Sequence, residues 1–159
     1  MRVEPFEFRR ILGHWTTGVT IVATSTAAGE PRGLTANAIA SVSLDPPLVL
    51  ACIERAADSH DPIRDAGFFS INVLAQDDER VARRFAGNDS ADKFVGIAYH
   101  SEVTGAPVLD SALAWLDCQV HEAIEAGDHS IFIGRVVAGD AVEGEPLVYY
   151  RGGYSRLTL

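Results

Sequence analysis

Residues 33–53 read GLTANAIASVSLDPPLVLACI, an alternation of apolar and short polar residues followed by a proline pair and an unbroken apolar run. In its first half Leu34, Ala36, Ala38, Ala40, Val42 and Leu44 alternate with the short polar residues Thr35, Asn37, Ser41 and Ser43. A period of two belongs to an extended strand with two unlike faces, not to a helix of period 3.6. Asp45-Pro46-Pro47 then stops the ladder, since proline has no N–H to donate. LVLACI follows as an unbroken apolar run, too short for most helices and suited to a buried strand.

Working outward, the same alternation recurs. Val19, Ile21 and Ala23 alternate with Thr20, Val22 and Thr24, and AAGEPRG after them is a hairpin turn. Ala114, Leu116, Cys118, Val120 and Ile124 alternate with Asp117, Gln119, His121 and Glu125, which predicts one buried and one wet face. Further strands are expected over residues 68–74, in HSIFIGRVVAGDAV and in LVYYRGGYSRL. Helices are few. Residues 5–15 place Phe8, Ile11, Leu12 and Trp15 at helical spacing, which assigns them to the core. A short helix is expected near Asp61-Pro62 with Asp61 as its cap, and another in DDERVARRFAG with Gly87 closing it. Residues 88–109 read as irregular. The sum is one mostly β domain over residues 1–159, with a barrel preferred because a small β core must hide its strand edges.

Composition narrows the function classes. The chain is 47% hydrophobic and 22% charged with a net charge of −9, and it has no basic cluster with which to neutralise phosphodiesters, which excludes a nucleic-acid binder. No apolar run approaches membrane-spanning length and the first residues carry no signal-type apolar segment, so a cytoplasmic protein is expected. Cys52 and Cys118 lie far apart in apolar runs and read as free thiols. The five histidines show no metal-ligand spacing, so no metal is expected. Neither a Rossmann fingerprint, a P-loop nor a nucleophile elbow occurs. Ser59-His60-Asp61 carries triad letters, but consecutive side chains cannot face one another as a triad.

Two stretches could meet a ligand. Thr35, Asn37, Ser41 and Ser43 are neutral hydrogen-bonders beside the small Ala38 and Ala40, a combination suited to a flat heterocycle; a solvated strand face is the plainer alternative. Arg55 and Ser59, just after a buried strand, could hold a phosphate, or could be an ordinary polar loop. Asp128-His129 stands at the mouth of a strand, where Gly127-Asp128 suits a hairpin turn.

Taken in order, GLTANAIASVSLDPPLVLACI, FFSINVL, RRFAG…DKFVG, LDCQV, GDHSIFIGRV and PLVYYRGGYSRL resemble the flavin reductase-like, FMN-binding split-barrel family, and within it the small reductase components of two-component flavin monooxygenases. The resemblance implies a split β-barrel of Greek-key type and a homodimer with flavin near the subunit interface. It implies FMN, with FAD possible, as cofactor, NADH or NADPH as co-substrate, and a separate monooxygenase as recipient of the reduced flavin. Carried over by position, Leu34, Thr35, Ala36 and Asn37 lie along the isoalloxazine with Ser41 nearby. Ile53, Glu54, Arg55 and Ser59 reach the ring edge, ribityl chain and phosphate. Phe85, Ala86 and Gly87 border the flavin tail. His129 faces the nicotinamide as the catalytic-site histidine, and Tyr154 is the aromatic of the closing GxY. The alternative on the same fold is a flavin-binding electron carrier or storage module without NAD(P)H turnover.

Overall fold

The computed structural model describes residues 2–87 and 92–158; residues 88–91 of the segment expected to be irregular lie outside it. The chain runs α1 (Pro5–Leu12), β1 (Thr17–Gly18), β2 (Thr20–Ser25), β3 (Pro31–Ala36), β4 (Ile39–Leu44), β5 (Pro47–Glu54), α2 (His60–Ala66), β6 (Phe68–Val73), α3 (Glu79–Phe85), β7 (Tyr99–Ser101), β8 (Pro107–Leu109), β9 (Ala114–Ala126), β10 (His129–Ala141), β11 (Leu147–Tyr150) and β12 (Gly153–Arg156). Seven strands form one antiparallel sheet in the order β3-β2-β6-β9-β10-β5-β4, with β1-β11-β12 and β7-β8 as smaller sheets. Among the described residues the fold is thus mostly β with three short helices. Among the described residues no helix is long and apolar enough to cross a membrane.

Strand β2 shows why the sheet is buried on both sides. Val22 enters a core with Ile53, Phe69, Ile71 and Phe132. Its neighbours Ile21 and Ala23 enter a second core with Leu74, Phe85, Leu109 and Leu147. The threonines between them are buried too, and each is satisfied by a backbone carbonyl: Thr20 Oγ1 donates to Ala36 O at 2.6 Å and Thr24 Oγ1 to Phe68 O at 2.8 Å. Gly134 marks a close crossing in the first core, where a Cβ would stand 2.6 Å from the Phe69 ring.

Five sequence expectations change. Within the stretch expected to be irregular, β7 and β8 pair as an antiparallel hairpin. Residues 33–44 are two strands, not one: β3 ends at Ala36, β4 begins at Ile39, and a register shift separates Ser41 from Ser43. Asn37 therefore leaves the ladder, while Ala38 O still accepts from Cys52 N at 3.0 Å, and the odd-numbered polar residues do not share one face. Helix α1 buries none of its residues; Phe6, Phe8 and Trp15 are 77, 56 and 74% exposed. Periodicity identified its apolar face but not what covers it. Helix α2 starts after Ser59 rather than at Asp61, with no side-chain cap. Asp61 instead accepts from His60 Nδ1 at 2.8 Å, leaving Nε2 to meet Ser130 Oγ at 2.8 Å, which ties α2 to β10. On β9, Asp117 is fully buried despite its place on the predicted wet face. It accepts from Val103 N at 2.8 Å and Thr104 N at 2.9 Å, so the carboxylate closes the turn between β7 and β8.

Candidate flavin and nicotinamide site

The break between β3 and β4 makes a cavity. Where Asn37 leaves the sheet, a hollow of about 520 Å³ opens between β3, the end of β5, the turn after it and the end of α3. Leu34, Thr35, Ala36, Asn37, Glu54, Phe85, Ala86, Gly87 and His129 line it, together with Ala38, Cys52, Ala56, Ala57, Asp58 and Lys93. Its walls are mostly small residues and neutral polar groups, the lining a flat heteroaromatic ring needs for close approach.

Each wall is held by a specific contact. Thr35 Oγ1 donates to Ala82 O at 2.5 Å, so β3 grips α3 and presents Phe85, Ala86 and Gly87 to the cavity. Gly33 has no room for a side chain, since a Cβ would lie 3.0 Å from Phe85 and 3.2 Å from Phe94. Its carbonyl accepts from Lys93 Nζ at 3.2 Å. The turn carrying Glu54 is pinned to the β9–β10 turn by Arg55 N donating to Asp128 O at 2.9 Å. That hairpin turn is Gly127-Asp128, left-handed at Gly127 alone as a II′ turn requires.

A second cavity of about 1250 Å³ lies between α1 and the outer face of β4 and β5, lined by Phe8, Arg9, Leu12, Trp15, Ile39, Ala40 and Leu50. It shares Asn37, Ala38, Cys52 and His129 with the first. A third, about 190 Å³, joins Thr35, Asn37 and Ala86 to Tyr149 and Tyr154. Asn37 borders all three, and its amide makes no hydrogen bond among the described residues.

At the junction, His129 Nδ1 lies 2.7 Å from Asp128 Oδ1, and this hydrogen bond holds the Asp128 carboxyl below the ordinary aspartate range. The carboxylate can only accept, so Nδ1 carries the proton and Nε2 is left as an acceptor in the neutral ring. Burial raises the Cys52 thiol above its ordinary value, so it faces the cavity as a neutral, polarisable group.

The remaining sequence candidates lie elsewhere. Tyr154 borders the small third cavity, where the Arg83 guanidinium lies 4.9 Å from its ring centre. Ile53 is in the core and Ser59 is fully buried, its hydroxyl donating to Asp58 Oδ1 at 3.1 Å. Ser41 is exposed on β4, and Arg55 lines a separate cleft beside α2. Conversely, Lys93 lines the cavity although no catalytic or binding motif marks it. It is the chain's only lysine, a signal that was available, and its side chain is 4% exposed at the cavity wall.

The residues present fit a flavin: small walls for a ring, an unpaired amide at its edge, and a buried ammonium at the Ala56-Ala57-Asp58 end for a phosphate. Residues 12–158 match the flavin reductase like domain family. The chain is 43% identical over 152 residues to the reductase component of 4-nitrophenol 4-monooxygenase/4-nitrocatechol 2-monooxygenase of Rhodococcus opacus, covering 96% of this chain and 80% of that one. It is 41% identical over 151 residues to a probable flavin reductase of Rhizobium meliloti, covering 95% of this chain but only 48% of that relative's length. Among solved structures, the NADH:FAD oxidoreductase SgcE6 of Streptomyces globisporus C-1027, in complex with NAD and FAD fragments, superposes with a TM-score of 0.91 at 37% identity. The alignment covers 99% of this chain and 97% of SgcE6. The chain belongs to the flavin reductase-like family.

Proposed function

We propose that the protein is an NAD(P)H:flavin reductase that passes a hydride to FMN or FAD and supplies the reduced flavin to a separate monooxygenase. The observation that carries this reading is the meeting of two cavities along Asn37, Ala38, Cys52 and His129. When bound, the flavin supplies an electrophilic ring nitrogen that accepts hydride from the reduced nicotinamide. Such a transfer needs two flat rings stacked with reacting atoms about 3–3.5 Å apart and water excluded, and little acid–base help. The chain's task is then positioning. Ala38 leaves room for ring-on-ring approach, Asn37 hydrogen-bonds the flavin edge, Lys93 holds the phosphate, and His129 accepts from the nicotinamide amide or ribose. Support from likeness comes from the Rhodococcus reductase component and from SgcE6, whose structure holds NAD and FAD fragments.

A split barrel and a homodimer belong to the same reading. The apolar residues of α1 flank the second cavity with no cover from their own chain, and a second copy would close that side of the nicotinamide site. Steady-state oxidation of NADH and of NADPH with excess FMN tests the reading. Sustained turnover is expected; flavin binding without turnover would leave the electron-carrier alternative in its place.

A further inference from the structure

On the other side of the turn that follows β5 lies a cleft of about 570 Å³, lined by Arg55, Ala56, His60, Arg64, Ser130 and Glu125 among others. Ala56 borders both this cleft and the main cavity. Their shared lip therefore carries only a methyl side chain. The cations of the cleft differ in what holds them. Arg64 is tied to Asp61 at 3.0 Å and to Asp65 at 2.9 Å, and Asp61 is also held by His60. Arg55 is exposed and has no carboxylate within ion-pair distance among the described residues, although its charge reaches Asp61. Its backbone is fixed by the bond to Asp128 O, so the unpaired Arg55 side chain is anchored directly beside the lip. Glu125 and Asp61, also in the lining, offer acceptors only, which repel phosphate but suit hydroxyls and an exocyclic amine.

We propose that this cleft receives the adenosine diphosphate arm of a flavin dinucleotide, with Arg55 binding the phosphate that FMN lacks. The proposal rests on the main cavity being the flavin site, and it makes Arg55 a residue that selects FAD over FMN. A guanidinium matches a phosphate with paired N–H donors, and the other cationic side chain of the cleft, Arg64, is already held by Asp61 and Asp65.

The same adenosine diphosphate chemistry occurs in NADH, so the test separates the two sources. Dissociation constants for FMN and FAD are measured for the unaltered protein and for Arg55→Ala, with free ADP as a competitor and with the KM for NADH measured at saturating FMN. Arg55→Ala is expected to weaken FAD about tenfold or more while FMN is unchanged, as loss of one charge-assisted contact predicts. ADP should compete with FAD and not with FMN, and Arg55→Lys should restore part of the FAD affinity. Equal losses for FMN and FAD would make Arg55 a ligand of the inner phosphate and overturn the proposal. So would unchanged affinity for both flavins, or a raised KM for NADH with FAD affinity intact, which would give the cleft to the nicotinamide cofactor. Failure of the unaltered protein to bind FMN would instead strike at the flavin reading itself.

Discussion

The ammonium of Lys93 stands 3.4 Å from the Asp58 carboxylate and 3.2 Å from the Gly33 carbonyl, with the side chain almost wholly shielded from water. These are long contacts for a buried charge, and an ammonium this poorly matched to its neighbours gains much from an anion entering the cavity. Lys93→Gln should therefore weaken FMN about tenfold or more and leave riboflavin, which lacks the phosphate, unaffected. Titrations of both flavins check this; equal losses would mean that Lys93 only supports the wall.

Asn37 is free to serve a ligand because it stands between β3 and β4, outside the ladders that β3 makes with β2 and β4 with β5. Asn37→Leu removes the hydrogen bonds without touching the sheet, and FMN affinity should fall by about three- to tenfold with an unchanged circular dichroism spectrum. Unchanged affinity in a native fold would remove Asn37 from the site.

His129 is aimed by Asp128 at the junction of the two larger cavities. His129→Ala should raise the KM for NADH roughly three- to tenfold and slow flavin reduction moderately, with FMN affinity little changed. A loss of FMN binding with normal NADH kinetics at saturating flavin would place the ring on the flavin instead. If neither changes, His129 is a turn residue and nothing more.

Phe8 projects from α1, none of whose residues is buried, and Trp15 is exposed just beyond that helix. Sedimentation at micromolar concentration should give twice the chain mass, and Phe8→Glu with Trp15→Glu should shift the protein toward monomer and raise the KM for NADH. A flavin-bound monomer of the unaltered protein, fully active, would show that no second copy is needed.

The two thiols should react differently. Burial pushes the Cys118 thiol up to about 12, whereas Cys52 lines both larger cavities and is only partly buried. Alkylation at pH 8 should label Cys52 slowly and Cys118 not at all, and saturating FMN should suppress the labelling. Mass spectrometry of the labelled peptides reads both; equal labelling of Cys52 with and without FMN would place the ring away from it.

The sequence alone was enough for the β architecture, because alternation around LVLACI, the proline stop and the Gly127-Asp128 turn are all local signals carried by neighbouring residues. The segments that line the main cavity were legible as well, Leu34 through Asn37 and Phe85 through Gly87, once their order along the chain pointed to a family. Other features needed tertiary structure. Asp117 looked wet until a turn from elsewhere in the chain brought two N–H groups to it. Lys93, far from Gly33 and Asp58 in sequence, becomes a buried cation only when α3 and β3 are packed together. Arg55 and Ser59 occur four residues apart, yet the tight turn between them sends one into the cleft beside α2 and the other into the core. Periodicity reports which face of an element is apolar; what that face meets is set by long-range packing, and so the partners of each charge were decided only in the folded chain.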